Sequence, residues 1–255
     1  MRKFILLYLI YITITSSYAN AKLHHDKPKI RIFALAENGG GHALFDRAAK
    51  IWLNKLAEEK GFIIDYASDT KKINKEFLKQ YQLFIQLDYP PYPWEKEAQE
   101  AFKDYIVNGK GGWIGFHHPT LLGVFDNYPM WQWYSDFMGK IEFKRHIPGG
   151  TFAKLNLEEK KHPVLKGLPA SFTTRDEWYI YNRSPRPNVH VLASIDESTY
   201  NPGKDVMMGD HPVIWSNEQV KAKNIYIAMG HFPELLEDKN FTTLFRNSIL
   251  WTLKH

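Results

Sequence analysis

Two hydrophobic periods alternate along this chain. Short apolar runs over Lys29–Ala36, Phe62–Ala67 and Leu83–Leu87 read as strands. Between them lie stretches with helical spacing. Over Ala43–Lys60 the residues Leu44, Ala48, Ile51, Trp52, Leu53 and Leu56 form an apolar stripe that Gly61 ends. A short helix is expected over Ile73–Leu78 and a long one over Glu95–Val107, stopped by Asn108-Gly109. Gly111 to Phe116 then forms a fourth strand, running into a sharp turn at His117-His118-Pro119. Strand and helix alternating through short connections imply parallel strands joined by right-handed crossovers, hence an α/β fold with a doubly wound, mostly parallel sheet.

After His118 the pattern loosens. Residues 126–139 read as a surface helix carrying aromatics, and Gly150–Leu157, Trp178–Tyr181 and Val189–Ile195 as short strands between Pro and Gly turns. No linker composition separates this stretch, so it is expected as an antiparallel elaboration of one domain over 22–255. A last strand, Asn224–Met229, leads into Gly230-His231, and Phe241–Leu253 is a closing helix.

The N-terminus changes the picture. Arg2-Lys3, an apolar run from Phe4 to Ile14 and an Ala19-x-Ala21 ending describe a secretory signal peptide over 1–21, so the protein is expected to be periplasmic or secreted. The apolar run is too short for a membrane span. Without cysteine there is no lipobox and no membrane anchor of that kind, nor any disulfide, thiol nucleophile or thiolate metal site. Cleavage removes two basic residues and no acid, leaving 31 basic residues against 28 acidic ones. That excess is small and dispersed, which argues against nucleic acid as a partner. Aromatic residues reach 15%. Most are expected in packing, while Trp133 and Trp178, set among polar residues, are candidate sugar contacts.

In a parallel sheet the carboxyl ends of the strands share one edge, and ligands collect there. Four expected strands end in polar groups: Glu37 and His42 after the first, Asp88 after the third, His117 and His118 after the fourth, His231 after the last. They are expected to surround one crevice. Gly39-Gly40-Gly41 precedes a helix, so Gly40 and Gly41 offer backbone N–H groups to a ligand, although the loop lacks dinucleotide and P-loop spacing. Glu177 and His211 are placed to line the crevice from the elaboration. General acid–base work by His117, His118 or His231 with Glu37, Asp88 or Glu177 as partner needs the fewest coincidences. No cofactor is specified. A divalent metal on His42, His117 and His231 is chemically admissible, but neighbouring side chains such as His117 and His118 normally point apart and rarely share an ion.

These residues carry a resemblance. Gly115-Phe116-His117-His118, Trp131-x-Trp133-Tyr134, His162-Pro163-Val164 with Gly167-Leu168-Pro169, Asp176-Glu177-Trp178-Tyr179, His211 to Trp215 and Gly230-His231, in this order, resemble the trehalose-utilisation ThuA-like family over Lys29–Leu253. The resemblance implies a flavodoxin-like, class I glutamine amidotransferase-like fold. It also implies a role in the uptake and breakdown of trehalose, other disaccharides or keto-sugars, with a small carbohydrate as ligand and homo-oligomerisation left open. By the same comparison His117 occupies the position of the amidotransferase cysteine, and Gly230-His231-Phe232-Pro233-Glu234 resembles the His-Pro-Glu end of that triad. Without a thiol, glutaminase chemistry is excluded. The expectation is a carbohydrate-active acid–base enzyme, with a non-catalytic sugar-binding or accessory protein as the other reading.

Overall fold

The computed structural model describes residues 29–37, 39–147, 149–200 and 206–254. The leader expected over 1–21 lies outside them. In chain order the elements are β1 (Arg31–Ala36), α1 (Ala43–Lys60), β2 (Ile63–Ala67), α2 (Lys75–Leu78), β3 (Leu83–Leu87), α3 (Lys96–Val107), β4 (Gly112–Phe116), α4 (Gln132–Phe137), β5 (Phe143–His146), β6 (Thr151–Leu157), β7 (Ser171–Asp176), β8 (Tyr179–Tyr181), β9 (His190–Asp196), β10 (Pro212–Ser216), β11 (Asn224–Ile227) and α5 (Lys239–Thr252).

Among the described residues, nine strands form one sheet in the order β2-β1-β3-β4-β11-β10-β9-β6-β7, and β5 pairs with β8 in a separate ribbon. From β2 to β11 the pairings are parallel, and from β11 outward they are antiparallel. Composition follows this division. Every residue of β3 and β4 is buried, as expected of parallel strands covered on both faces. In β6 and β7 burial alternates, which marks a sheet with one face toward solvent. No helix among the described residues is long and apolar enough to cross a membrane.

Three expectations are corrected. The buried stripe of α1 is Phe45, Ala49, Leu53 and Leu56, while Leu44 and Ile51 are exposed. The chain has apolar residues on two faces there, and only the one four residues apart from Phe45 meets the sheet. Residues 126–131 are not helical: Asp126 and Asn127 adopt left-handed φ values of 48° and 67°, so α4 begins only at Gln132. The strand expected over Trp178–Tyr181 does form, as β8, but it leaves the main sheet to pair with β5, a strand whose exposed Lys144-Arg145-His146 run hides it from hydropathy.

Candidate active site

The parallel strands β1, β3, β4 and β11 deliver Glu37, Asp88, His117 and His231 to one edge of the sheet. The far edge strand, β7, joins them. Three strands separate β7 from β11, yet Asp176 at its end accepts hydrogen bonds from Gly230 N (2.9 Å) and His231 N (3.3 Å), so the antiparallel part curls back over the crevice. The same carboxylate accepts from Glu177 N at 2.7 Å. Asp176 is fully buried. Burial raises its pKa to about 7, against the pull of the Gly230, Glu177 and His231 backbone N–H groups and the His231 ring toward the ionised form.

Two strand ends are strained. Asp88 and His117 are non-glycine residues with φ of 46° and 58°, a conformation that costs about 1–3 kcal/mol and persists only where surroundings impose it. Around His117 the clamp is visible: its carbonyl accepts from Tyr226 OH at 2.9 Å and Thr120 Oγ1 at 3.1 Å, and Tyr181 OH donates to Thr120 Oγ1. This turn also breaks strand alternation. The His117 and His118 rings therefore lie side by side, centroids 5.2 Å apart and tilted by 21°, where adjacent side chains were expected to diverge.

His42, His117, Glu177 and His231 form the centre. His42 Nε2 and His231 Nδ1 are 2.9 Å apart, and Glu177 Oε2 lies 3.4 Å from His117 Nε2 and 3.6 Å from His231 Nδ1. His117 Nδ1 donates to Ala228 O at 2.9 Å, and its other nitrogen makes no hydrogen bond. The His117 side chain is fully buried, whereas His42, Glu177 and His231 keep 12%, 15% and 21% exposure, so the cluster opens to solvent on their side. Beside it, His118 Nδ1 donates to Asp88 O (2.7 Å) and lies 2.9 Å from Glu37 Oε2, which is 3.8 Å from His42 Nδ1. Among the described residues, two groups thus have ligand atoms close enough to surround a metal ion, His42 with His117, Glu177 and His231, and Glu37 with His42 and His118.

Electrostatics separates these groups. Burial lowers His117 to about 4, with His118 adding to the shift and Glu177 and the Ala228 carbonyl opposing it. His42 falls to about 2, through burial first and then the neighbouring imidazoles. His231 is raised by its contact with Glu177, against burial. Burial disfavours the Glu177 carboxylate, but His117 and His231 outweigh it and hold the group below its usual range. Burial and the charges of Asp46, Asp176 and Glu37 push Asp88 far up, and neither of its carboxyl oxygens has a hydrogen-bond partner.

The His117 shift has a measurable consequence. Between pH 6.5 and about 4 the unfolded chain binds a proton at this position that the folded chain does not, so stability is lost as pH falls, by about 1.4 kcal/mol per pH unit. His117→Asn lacks this loss. Urea unfolding at pH 7.5, 6 and 5 is expected to show the wild type losing ground to the variant toward acid, and parallel curves would contradict a neutral buried His117.

The remaining expected residues lie outside the cluster. Gly41 is close by, since a Cβ there would touch the His231 ring at 3.8 Å, whereas Gly40 faces open space with φ of 56°. The Asp88 carboxyl group is sealed beneath Gly230, where any side chain would meet it and the His117 Cβ at 3.0 Å. Trp178 is fully buried, its Nε1 donating to Thr151 O, and Trp133 packs flat on Phe137. Neither tryptophan faces the His42–His117–Glu177–His231 crevice. His211 is buried between Glu197 (3.0 Å) and Tyr179 O (3.1 Å), bracing the strand whose Tyr179 ring packs against His117 at 4.3 Å. His146 was missed by sequence reasoning. It stands half-exposed on β5 with Nε2 3.4 Å from Glu177 Oε1, and nothing in its charged surroundings signals that place.

A parallel half-sheet continued by antiparallel strands, with an elbow at the end of β4 and a His at the end of β11, defines a glutamine amidotransferase-like fold. A solved structure described as a GMP synthase protein, from Thermoplasma acidophilum, shares this fold at 11% identity over 87% of this chain and 92% of its own, with a TM-score of 0.53. The chain belongs to the ThuA family, described by trehalose utilisation, whose model matches residues 31–252. A protein described as ThuA-like from Bacteroides uniformis ATCC 8492 is 31% identical, covering 94% of this chain and 95% of its own at a TM-score of 0.78. Another from Parabacteroides merdae ATCC 43184 is 20% identical over 89% and 91%, with a TM-score of 0.64. No curated protein matches the chain.

Proposed function

We propose that this chain is an exported enzyme of carbohydrate utilisation that moves a proton on a disaccharide or keto-sugar held against the open side of the His42–His117–Glu177–His231 crevice. The observation that carries the reading is the His231–Glu177 contact at 3.6 Å, in which a partly exposed imidazole is raised and its carboxylate partner lowered. Such a pair keeps a proton donor and an acceptor side by side at the mouth of a buried site. Membership of a family described by trehalose utilisation supports the substrate class. The basic, apolar and Ala-x-Ala segments of residues 1–21 support export, and N-terminal sequencing of secreted material is expected to begin at Lys22.

The test is incubation of the purified protein with trehalose, other disaccharides and 3-keto-glycosides, with products read by chromatography. Turnover of one of them is expected, falling about 100-fold or more in the His117→Ala, His231→Ala double variant, the range general acid–base catalysis supplies. Unchanged activity in the double variant would sink these assignments.

A further inference from the structure

The centre of the site is short of positive charge. His117 Nδ1 faces the Ala228 carbonyl at 2.9 Å and must carry the ring proton, since a carbonyl only accepts. His117 Nε2 is then a bare lone pair, buried, without a hydrogen bond, and aimed at a carboxylate oxygen 3.4 Å away. Two electron-rich atoms facing each other at this distance are unfavourable unless a cation lies between them. A hydrogen-bonded pair, whose proton an ion would displace, adjoins it. His42 Nε2 and His231 Nδ1 meet at 2.9 Å, where one shared proton is the most the two nitrogens can hold.

The spacing suits an ion. Four ligand atoms, one from each of His42, His117, Glu177 and His231, lie within 4.8 Å of one another. Ligands about 2.0–2.2 Å from a tetrahedral ion are about 3.4 Å apart. The separations of 2.9, 3.4 and 3.6 Å bracket that value and no pair among the four exceeds 4.8 Å, so side-chain rotation would close the shell.

Outer partners hold the donors in place. His117 is oriented by Ala228 O, His42 Nδ1 faces Glu37, and Asp176 pins the backbone of both Glu177 and His231. This is the arrangement that fixes tautomers and aim around bound metals. Three imidazoles and one carboxylate favour zinc or a related first-row divalent ion over calcium or magnesium, which prefer shells of oxygen. The neighbouring Glu37, His42 and His118 group is less suited, because His118 Nδ1 spends its proton on Asp88 O and offers no lone pair there.

We infer that His42, His117, Glu177 and His231 bind a divalent transition-metal ion, which an oxygen arriving from the crevice mouth would reach by raising it from four- to five-coordination. The inference deepens the proposed function: with the ion bound, His231 and Glu177 serve as ligands in place of the donor–acceptor pair, and a Lewis acid stands where a sugar hydroxyl or keto oxygen would arrive. It takes from that reading only the location of the site.

Metal-depleted full-length protein is to be titrated with Zn2+ by calorimetry and with Co2+ by visible absorption, without any sugar. One Zn2+ per chain and the intense absorption bands of tetrahedral Co2+ are expected. Glu177→Gln and His231→Asn are each expected to weaken binding by about 100-fold or more, and Glu37→Gln by about 10- to 100-fold. His190→Asn, a surface exchange at an ion pair with Glu218, is expected to change nothing. Circular dichroism confirms folding, and either ligand variant serves if the other fails to fold. Absence of saturable binding in folded wild type overturns the inference, as does binding undiminished in the ligand variants. Intact metal binding with no turnover of any sugar would overturn the substrate reading alone.

Discussion

Asp176→Asn is expected to cost about 2–4 kcal/mol of stability and to loosen the site at the same time. Both carboxylate oxygens are fully buried, and between them they accept from Glu177 N, Gly230 N and His231 N. An amide has only one acceptor oxygen. In either orientation its NH2 group faces at least one backbone N–H, leaving a buried donor unsatisfied at about 1–3 kcal/mol, with repulsion between donors added. The released segments carry Glu177 and His231, so the damage reaches the centre directly. A urea melt at about pH 8.5, where the folded wild type holds Asp176 mostly ionised, followed by circular dichroism, is expected to show a lower midpoint with an unchanged slope. A wild-type midpoint would mean that Asp176 does not tie the edge strand to the end of β11.

Gly115→Ala is expected to destabilise the fold by about 3 kcal/mol, at the upper end of what overpacking does. Gly115 lies mid-sheet, opposite Gln86 on one side and Tyr226 on the other. An added Cβ would overlap the ring of Trp113 and lie 3.0 Å from Pro119. That ring cannot swing away freely. Its Nε1 donates to Gln86 Oε1, and it packs against Phe137 and Tyr134. Because Pro119 belongs to the strained elbow, the crowding would also reach His117. Denaturant unfolding checks this, and a variant as stable as the wild type would show that Trp113 has room to yield.

Much of the parallel half was legible because buried strands are continuous apolar runs and their ends carry the conspicuous polar residues. Glu37, His42, His117, His118 and His231 were located by that logic alone, and the structure brings them together. The antiparallel half was harder to read. A strand with one wet face, such as Phe143–His146, carries no apolar run, and His146 looks like any surface residue until β5 pairs with β8. Glu177 was recognisable as an acid beside aromatics, but its neighbour Asp176 acquires its role only through contact with Gly230 and His231, more than fifty positions away. Trp133 and Trp178 show the opposite case. Polar neighbours in sequence suggested exposure, and tertiary packing buried one ring completely and pressed the other onto Phe137.

The sequence by itself determined the layered α/β plan, the edge of the sheet on which polar groups gather, and the absence of thiol chemistry, because periodicity, strand direction and composition are local or additive properties. Only the tertiary structure decided which of those groups meet. The left-handed turn at His117, the curl of the antiparallel strands that carries Glu177 back over β11, and the resulting burial set distances of a few ångströms among four side chains. Those distances and that burial arise from contacts between segments far apart in the chain, so no local pattern encodes them.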